Sequence, residues 1–145
     1  SFAYSLSSAA NFSDGIGVNG LSVNEKLFLA QFQVIKEIGE RGEGVIIGRC
    51  ADYVLKDIPG VTNAFIYGEY EDRVKRAVEK YGVDKREADR IVSSYDKARE
   101  NYYNYHTSRK WGEYRNYNLS IDSSYISEEE AANLIADYVE RRTYR

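Results

Sequence analysis

Apolar residues recur at helical spacing in four parts of the chain, and polar or glycine-rich breaks separate these parts. Three of them open on a capping box, in which Ser or Asp is followed three residues later by Glu, at Ser22, Asp84 and Ser127. The remaining part is the charged stretch 69–81, which stops at Gly82. The pattern therefore predicts helices that begin at 22 and end at Gly39 or Gly42, span 69–81, run from 84 to about 105, and begin at 127.

Three short apolar runs predict the strands that lie between these helices. Residues 45–47, which precede Gly48, and residues 63–67, which precede Gly68, predict buried strands. Residues 118–122 alternate between apolar and polar side chains and predict a half-exposed strand. Because strands alternate with helices, the sequence predicts a parallel sheet with right-handed crossovers, and the fold class is α/β.

The packed part of the chain begins near residue 21, because the Ser-, Asn- and Gly-rich residues 1–20 predict a loop. No internal repeat and no long linker follows, so the sequence predicts a single domain over residues 1–145. In the last helix, the spacing of the apolar residues predicts a buried face that includes Ala131, Leu134 and Val139.

The composition excludes several classes of protein. The chain has 20 Lys and Arg against 23 Asp and Glu, and a net charge of −3 argues against nucleic-acid partners. Cys50 and His106 are the only residues of their kinds, so the sequence predicts no disulfide, no metal site built on His or Cys, and no serine-hydrolase triad. No apolar stretch is long enough to span a membrane and no secretory signal is visible, so we expect a cytoplasmic protein without a membrane partner.

Two pairs of charged residues follow predicted strands. Arg49 and Asp52 come directly after the run 45–47, at the carboxyl end of a strand, where open α/β sheets bind ligands. Arg49 could equally cap a sheet edge or pair with Asp52. Arg73 and Arg76 lie three residues apart on one helix face, as a phosphate-facing pair would, although spacing alone favours a solvated face with ion pairs.

The stretch from 95 to 117 mixes basic and aromatic side chains. Such a stretch can cover a nucleotide, bind single-stranded nucleic acid by stacking, or form a tyrosine-rich packing face. Its candidate residues for phosphate contacts are Lys97, Arg99, Tyr102, Tyr103, Arg109 and Lys110.

Taken together, these segments resemble the cytidylate kinase-like family. The resemblance rests on Gly-Glu-Gly-Val-Ile-Ile-Gly-Arg-Cys-Ala-Asp-Tyr-Val-Leu at 42–55, on 71–76, on Asp96-Lys97-x-Arg99, on Tyr102-Tyr103-x-Tyr105-x-Thr107, on Trp111-Gly112, on 116–119 and on 21–33. It implies the fold of the P-loop nucleoside monophosphate kinases, in which three layers form a parallel sheet flanked by helices. It also implies transfer of the γ-phosphoryl group of ATP to CMP or a similar small acceptor, with Mg²⁺.

The resemblance also implies a role for each candidate residue. Arg49 would bind the phosphate or base of the acceptor, with Asp52 close by. Lys97 and Arg99 would be catalytic residues on a lid at about 95–117, and Arg73 and Arg76 would lie near the lid or the nucleotide. Tyr102, Tyr103, Arg109 and Lys110 would contact phosphates from the lid. The expected partners are thus small-molecule nucleotides, and a homo-oligomer stays open.

One part of the family pattern is missing from these residues. The phosphate-binding loop Gly-x-x-x-x-Gly-Lys-[Ser/Thr] and its strand, which would lie between the strands 45–47 and 63–67, are not in the sequence, and the Gly-rich residues 15–20 do not match that loop. We therefore expect them upstream of Ser1, because two buried strand edges would otherwise lack a partner. The alternative is a non-catalytic nucleotide-sensing or interaction domain with a degenerate kinase fold.

Overall fold

A computed structural model describes residues 20–42 and 44–143 of the chain. The chain forms two compact units, one up to Ile58 and one from Pro59. The loop predicted for residues 1–20 lies outside the described residues except for Gly20. The single domain stays a prediction.

The first unit is built on α1 (Val23–Glu40), which packs against the short helix α2 (Ala51–Val54). The capping box is confirmed: the Glu25 amide donates to Ser22 Oγ at 3.3 Å, and the Ser22 amide donates to Glu25 Oε2 at 2.7 Å. Gly39 lies within α1, where a Cβ atom would clash with the side chain of Leu55. The helix therefore needs Gly39 for close packing, and it ends one residue later.

The predicted strand 45–47 is wrong. These residues are extended but form no ladder, and Val45 and Ile47 are 93% and 88% exposed. A short apolar run becomes a strand only where a neighbouring strand pairs with it, and the described part of the first unit contains none. Arg49 accordingly follows an exposed extended segment and a turn, not the end of a strand.

The second unit contains the sheet. Its elements are β1 (Ala64–Tyr67), α3 (Tyr70–Glu79), α4 (Ala88–Thr107), a short 3₁₀ helix (Tyr114–Asn116), β2 (Leu119–Asp122) and α5 (Glu128–Thr143). The two strands are parallel, with Ala64 opposite Leu119 and Tyr67 opposite Asp122. The α/β class with a small parallel sheet is therefore confirmed, whereas the full three-layer arrangement stays a prediction.

The two strands differ in burial. In β2 the alternation is as predicted, since Ile121 is 5% exposed and its neighbour Ser120 faces solvent. The prediction of a buried β1 is wrong, because Ile66 and Tyr67 are 53% and 45% exposed. Strand side chains point to the two faces of the sheet, so their burial depends on what packs on those faces and not on the strand run itself.

The capping box that opens α5 is confirmed, since the Glu130 amide donates to Ser127 Oγ at 3.1 Å and the Ser127 amide donates to Glu130 Oε2 at 2.8 Å. The one predicted at Asp84 is wrong, because its carboxylate accepts from the Arg86 amide at 2.8 Å. That local turn competes with a helix cap, and α4 begins only at Ala88.

The packed positions of the second unit are mostly small side chains. Ala77 of α3, Ala88 of α4 and Ala131 of α5 are buried, and α3 lies along α4. The prediction that Leu134 and Val139 are buried is wrong, since they are 49% and 38% exposed. None of the helices that the structure describes is long and apolar enough to cross a membrane.

Candidate functional site

The carboxyl ends of β1 and β2 lie side by side because the strands are parallel and in register. The loops that follow them are joined by hydrogen bonds. The Ser123 amide donates to the Tyr67 carbonyl at 2.7 Å, and the Glu69 amide donates to Ser124 Oγ at 2.7 Å. This edge is the place where open α/β sheets bind ligands.

Gly68 leaves room for this junction. A Cβ atom at Gly68 would lie 3.1 Å from Ser123 Oγ and 3.5 Å from Cγ of Arg73. Its backbone is not in the left-handed region, so the glycine serves close approach and not an unusual turn. The aliphatic stem of Arg73 therefore lies against the end of β1.

The two arginines of α3 lie next to this region, and their guanidinium groups have different partners. Arg76 donates from Nη2 to the Ser123 carbonyl at 3.1 Å. Arg73 forms an ion pair through Nη2 with Asp96 of α4, and both side chains are about three-quarters buried. Because Arg73 and Arg76 are both half-buried, this face of α3 is not the fully solvated face that spacing alone favoured.

Asp96 has a second arginine partner. Arg99 Nη1 lies 3.4 Å from Asp96 Oδ1, and the Arg99 guanidinium lies 5.9 Å from the centre of the Tyr95 ring. Lys97 is exposed on the same helix, and no hydrogen bond or ion pair joins it to another described residue. The structure thus brings Arg73 and Arg99 to one carboxylate, whereas Lys97, which directly follows Asp96 in the sequence, faces solvent.

A tyrosine connects the starts of α3 and α4. The Tyr70 hydroxyl donates to Asp89 Oδ1 at 2.9 Å and to the Asp89 carbonyl at 3.0 Å. Desolvation and this hydrogen bond to the carboxylate raise the pKa of the Tyr70 phenol. The Tyr70 ring lies 5.9 Å from the Arg73 guanidinium.

Arg49 and Asp52 flank a strained turn in the first unit. Arg49 and Cys50 adopt left-handed backbone conformations with φ of 54° and 59°, directly before α2. Such consecutive non-glycine residues are costly and concentrate at functional sites. Arg49 is exposed and Asp52 is half-buried in the first turn of α2.

The lone thiol at this turn is not a nucleophile. Cys50 is 4% exposed, and this burial, together with the charge of Asp52, raises the pKa of its thiol to about 11 despite the opposing charge of Arg49. Because the reactive form of cysteine is the thiolate, Cys50 is inert at neutral pH. The acceptor-binding role of Arg49 and Asp52 stays a prediction.

The tyrosines at the end of α4 contribute to packing. Tyr103 is 5% exposed, and its carbonyl accepts from Thr107 Oγ1 at 2.7 Å. Tyr102 packs edge-on against His106, with ring centres 4.5 Å apart. The Arg109 amide donates to Thr107 Oγ1 at 3.1 Å, so the end of α4 is held by local hydrogen bonds.

The segment that follows α4 folds back onto β1. Trp111 contacts Phe65 edge-on, with ring centres 5.6 Å apart, and Tyr117 lies 4.7 Å from the same ring. Lys110 is exposed, and its carbonyl accepts from Asn116 Nδ2 at 3.1 Å. The lid roles of Tyr102, Tyr103, Arg109 and Lys110 stay predictions.

The sequence prediction gave no role to Asp96, Gly68, Ser123 or Ser124. Two of these residues have a signal in the sequence. Asp96 lies three residues before Arg99, which is an ion-pair spacing, and Gly68 directly follows a strand. Within residues 20–42 and 44–143, no group of His, Cys, Asp and Glu side chains is placed to hold a metal ion.

Comparisons with known proteins identify the family. The model of the cytidylate kinase-like family matches residues 1–125. A crystal structure of an uncharacterized protein from Eubacterium ventriosum ATCC 27560 is 31% identical, with a TM-score of 0.75 over 86% of this chain and 70% of that chain. A search of curated proteins found no match. Because the family match covers most of the length of this chain, the chain belongs to the cytidylate kinase-like family.

Proposed function

We propose that the protein is a nucleotide kinase that transfers the γ-phosphoryl group of ATP to CMP or a similar small acceptor. The observation that carries this proposal is the placement of Arg73 and Arg76 at the carboxyl edge of the parallel pair, in a chain of this family. Catalysis of phosphoryl transfer is mostly positioning and positive charge around the transferred group. Guanidinium groups supply both, since their planar forks match phosphate oxygens.

The residues divide into three sets. Arg73, Arg76 and Arg99 would bind phosphate oxygens, and the exposed Lys97 would add a charge that can move with its flexible stem. Arg49, with Asp52, would bind the acceptor at the strained turn before α2. Tyr102, Tyr103, Arg109 and Lys110 would form the lid that covers the nucleotide.

The described residues fit ATP and Mg²⁺ unequally. The arginines are suited to the phosphates, whereas the described carboxylates form no cluster for a metal ion. Mg²⁺ is commonly held through substrate phosphates with few protein ligands, and it would supply positive charge that neutralises the phosphates. The protein's own contribution is then to hold the phosphates with arginine donors and to exclude water.

The proposal is tested with the natural full-length protein. ADP formation from ATP and Mg²⁺ is measured with a panel of nucleoside monophosphates, and turnover with CMP or dCMP is expected. Nucleotide binding without turnover on any acceptor would favour the nucleotide-sensing alternative. Absence of nucleotide binding would favour an interaction domain.

The acceptor site is tested separately with Arg49→Ala. We expect this variant to lose binding of the acceptor and to keep binding of ATP, because the two nucleotides would use different arginines. Arg49 is exposed, so its truncation removes little packing, and the left-handed backbone costs the same for Ala. Unchanged acceptor affinity in calorimetry would contradict the role of Arg49.

A further inference from the structure

We infer that Asp96 is a positioning residue that holds the guanidinium groups of Arg73 and Arg99 together as one phosphate-binding unit. This inference rests on the proposed function and adds to it a residue whose own charge has the wrong sign for binding phosphate. Its basis is the geometry of three charged side chains on α3 and α4.

Asp96 joins two arginines that come from different helices. Its Oδ2 atom accepts from Nη2 of Arg73, which lies 23 positions earlier on α3. Its Oδ1 atom accepts from Nη1 of Arg99, one turn further along α4, at 3.4 Å. The Asp96 side chain is only 25% exposed, so both carboxylate oxygens are used where water is partly excluded. The result is that two guanidinium groups converge on one point.

Both arginines keep most of their donors. A guanidinium carries five N–H groups, and each arginine gives one nitrogen to Asp96. In the part of the chain that the structure describes, no other acceptor is within hydrogen-bond distance of either group. Two arginines and one aspartate also leave a net charge of +1, so the unit can still attract a phosphate.

The stem of Arg73 lies beside the end of β1, next to Gly68, and its guanidinium lies 5.9 Å from the centre of the Tyr70 ring. Neither neighbour bonds to the tip of the side chain. Asp96 supplies the restraint at the tip. An arginine that is held at its tip loses less conformational entropy when a ligand arrives.

A competing role for Asp96 predicts the opposite result. If Asp96 only screened the two arginines, replacing it with Asn would raise the local charge to +2 and strengthen phosphate binding. If Asp96 positions them, Asp96→Asn releases both groups and weakens binding in spite of the added positive charge. The direction of the change in affinity therefore separates the two roles.

The test is calorimetric titration of the full-length protein with MgADP. We expect Asp96→Asn to weaken MgADP binding about tenfold, the loss typical of one charge-assisted hydrogen bond. Glu100→Gln is the matched control, because it removes one carboxylate charge from the same helix at an exposed residue that bonds to none of the three charged side chains. The control should bind MgADP as the wild type does. Asp96→Glu restores the charge and should recover part of the lost affinity.

Equal or tighter binding by Asp96→Asn would overturn the inference while the proposed function stands. A wild-type protein that binds no nucleotide would instead refute the proposed function, and the inference with it. If Asp96→Asn does not fold, Arg99→Lys carries the test, because the Arg99 side chain is 62% exposed and contributes little packing. That variant keeps the positive charge but loses the planar guanidinium, so MgADP binding should weaken severalfold. Unchanged affinity would overturn the inference.

Discussion

The two ends of the β1–β2 pair are both closed by arginine side chains, but with different partners. At the amino end, Arg142 of α5 donates from Nη1 to the Val61 carbonyl at 2.6 Å, to Thr62 Oγ1 at 3.1 Å and to Asn118 Oδ1 at 3.3 Å. All three acceptors are neutral. These contacts fix the last helix to the start of both strands, and they leave this arginine a structural role.

At the carboxyl end, the arginines have fewer partners. Arg76 donates to one carbonyl, and Arg73 is paired with the carboxylate of Asp96. The oxygens of a carboxylate resemble those of a phosphate as acceptors for a guanidinium group. We expect the partners of an arginine to distinguish a structural from a functional side chain better than its burial does. It predicts that substitutions at the two ends separate activity from stability.

The largest expected effect is on activity, at the carboxyl end. Arg73→Ala should lower kcat/KM for phosphoryl transfer about a hundredfold, or about 2.7 kcal/mol, because the proposed guanidinium contact with the phosphates would be removed. The measurement is steady-state turnover of ATP and CMP at saturating Mg²⁺. Arg142→Ala is the matched control, and its kcat/KM should be unchanged below its unfolding temperature. Equal losses in the two variants would contradict the distinction between the two ends.

The next effect is on stability, at the amino end. Asn118 Oδ1 accepts from the backbone N–H of Asn63 at 2.8 Å and also from Arg142. Because both bonds are lost, Asn118→Ala should lower the free energy of unfolding by about 1 kcal/mol. Urea denaturation measures this loss, and kcat should not change. Asn118→Asp keeps the acceptor oxygen and should retain the stability. A loss of kcat in the folded Asn118→Ala variant would show that the amino end also contributes to activity.

The features that the sequence predicts well are local ones. The capping boxes at Ser22 and Ser127 involve side chains within one helical turn, and the alternation in β2 depends on its own pleat. The prediction at Asp84 fails for an equally local reason, since a turn competes with the cap for the same carboxylate. The prediction of a strand at 45–47 is wrong because a strand needs a neighbouring strand to pair with, and the sequence of the run does not specify that neighbour.

The candidate site divides in the same way. The spacing of Arg73 and Arg76 places both on one helix face, and the structure confirms that they share a half-buried face. Their partners could not be predicted, because Asp96 and Ser123 follow them by 23 and 47 positions. Such distant contacts depend on how α3 packs on α4 and on the sheet register, and neither leaves a sequence pattern.

A smaller effect on activity is expected from Gly68→Ala. The new Cβ would lie 3.1 Å from Ser123 Oγ, which already donates to the Tyr67 carbonyl at 2.7 Å and cannot move freely. The strain should shift the neighbouring Arg73 stem and lower kcat/KM about fivefold, in line with the sensitivity of phosphoryl transfer to positioning. The double variant Gly68→Ala with Ser123→Ala makes room for the Cβ and should recover most of this loss. Without that recovery, the effect of Gly68→Ala does not arise from the contact with Ser123.

The smallest expected effect is on the pH dependence of stability, at the start of α5. The hydrogen bonds that Glu130 accepts from the Ser127 amide and hydroxyl lower the pKa of its carboxyl below the usual 4.5. A carboxylate with a depressed native pKa stabilises the folded state above its unfolded pKa, and this contribution is lost as the pH falls through the native value. Glu130→Gln should therefore lose less stability than the wild type when urea denaturation is compared between about pH 6 and about pH 3. Glu129→Gln removes the same charge from the same turn without a bond to Ser127, so its loss of stability should parallel that of the wild type. Parallel losses in all three proteins would mean that the Ser127–Glu130 cap contributes nothing to the stability of this unit.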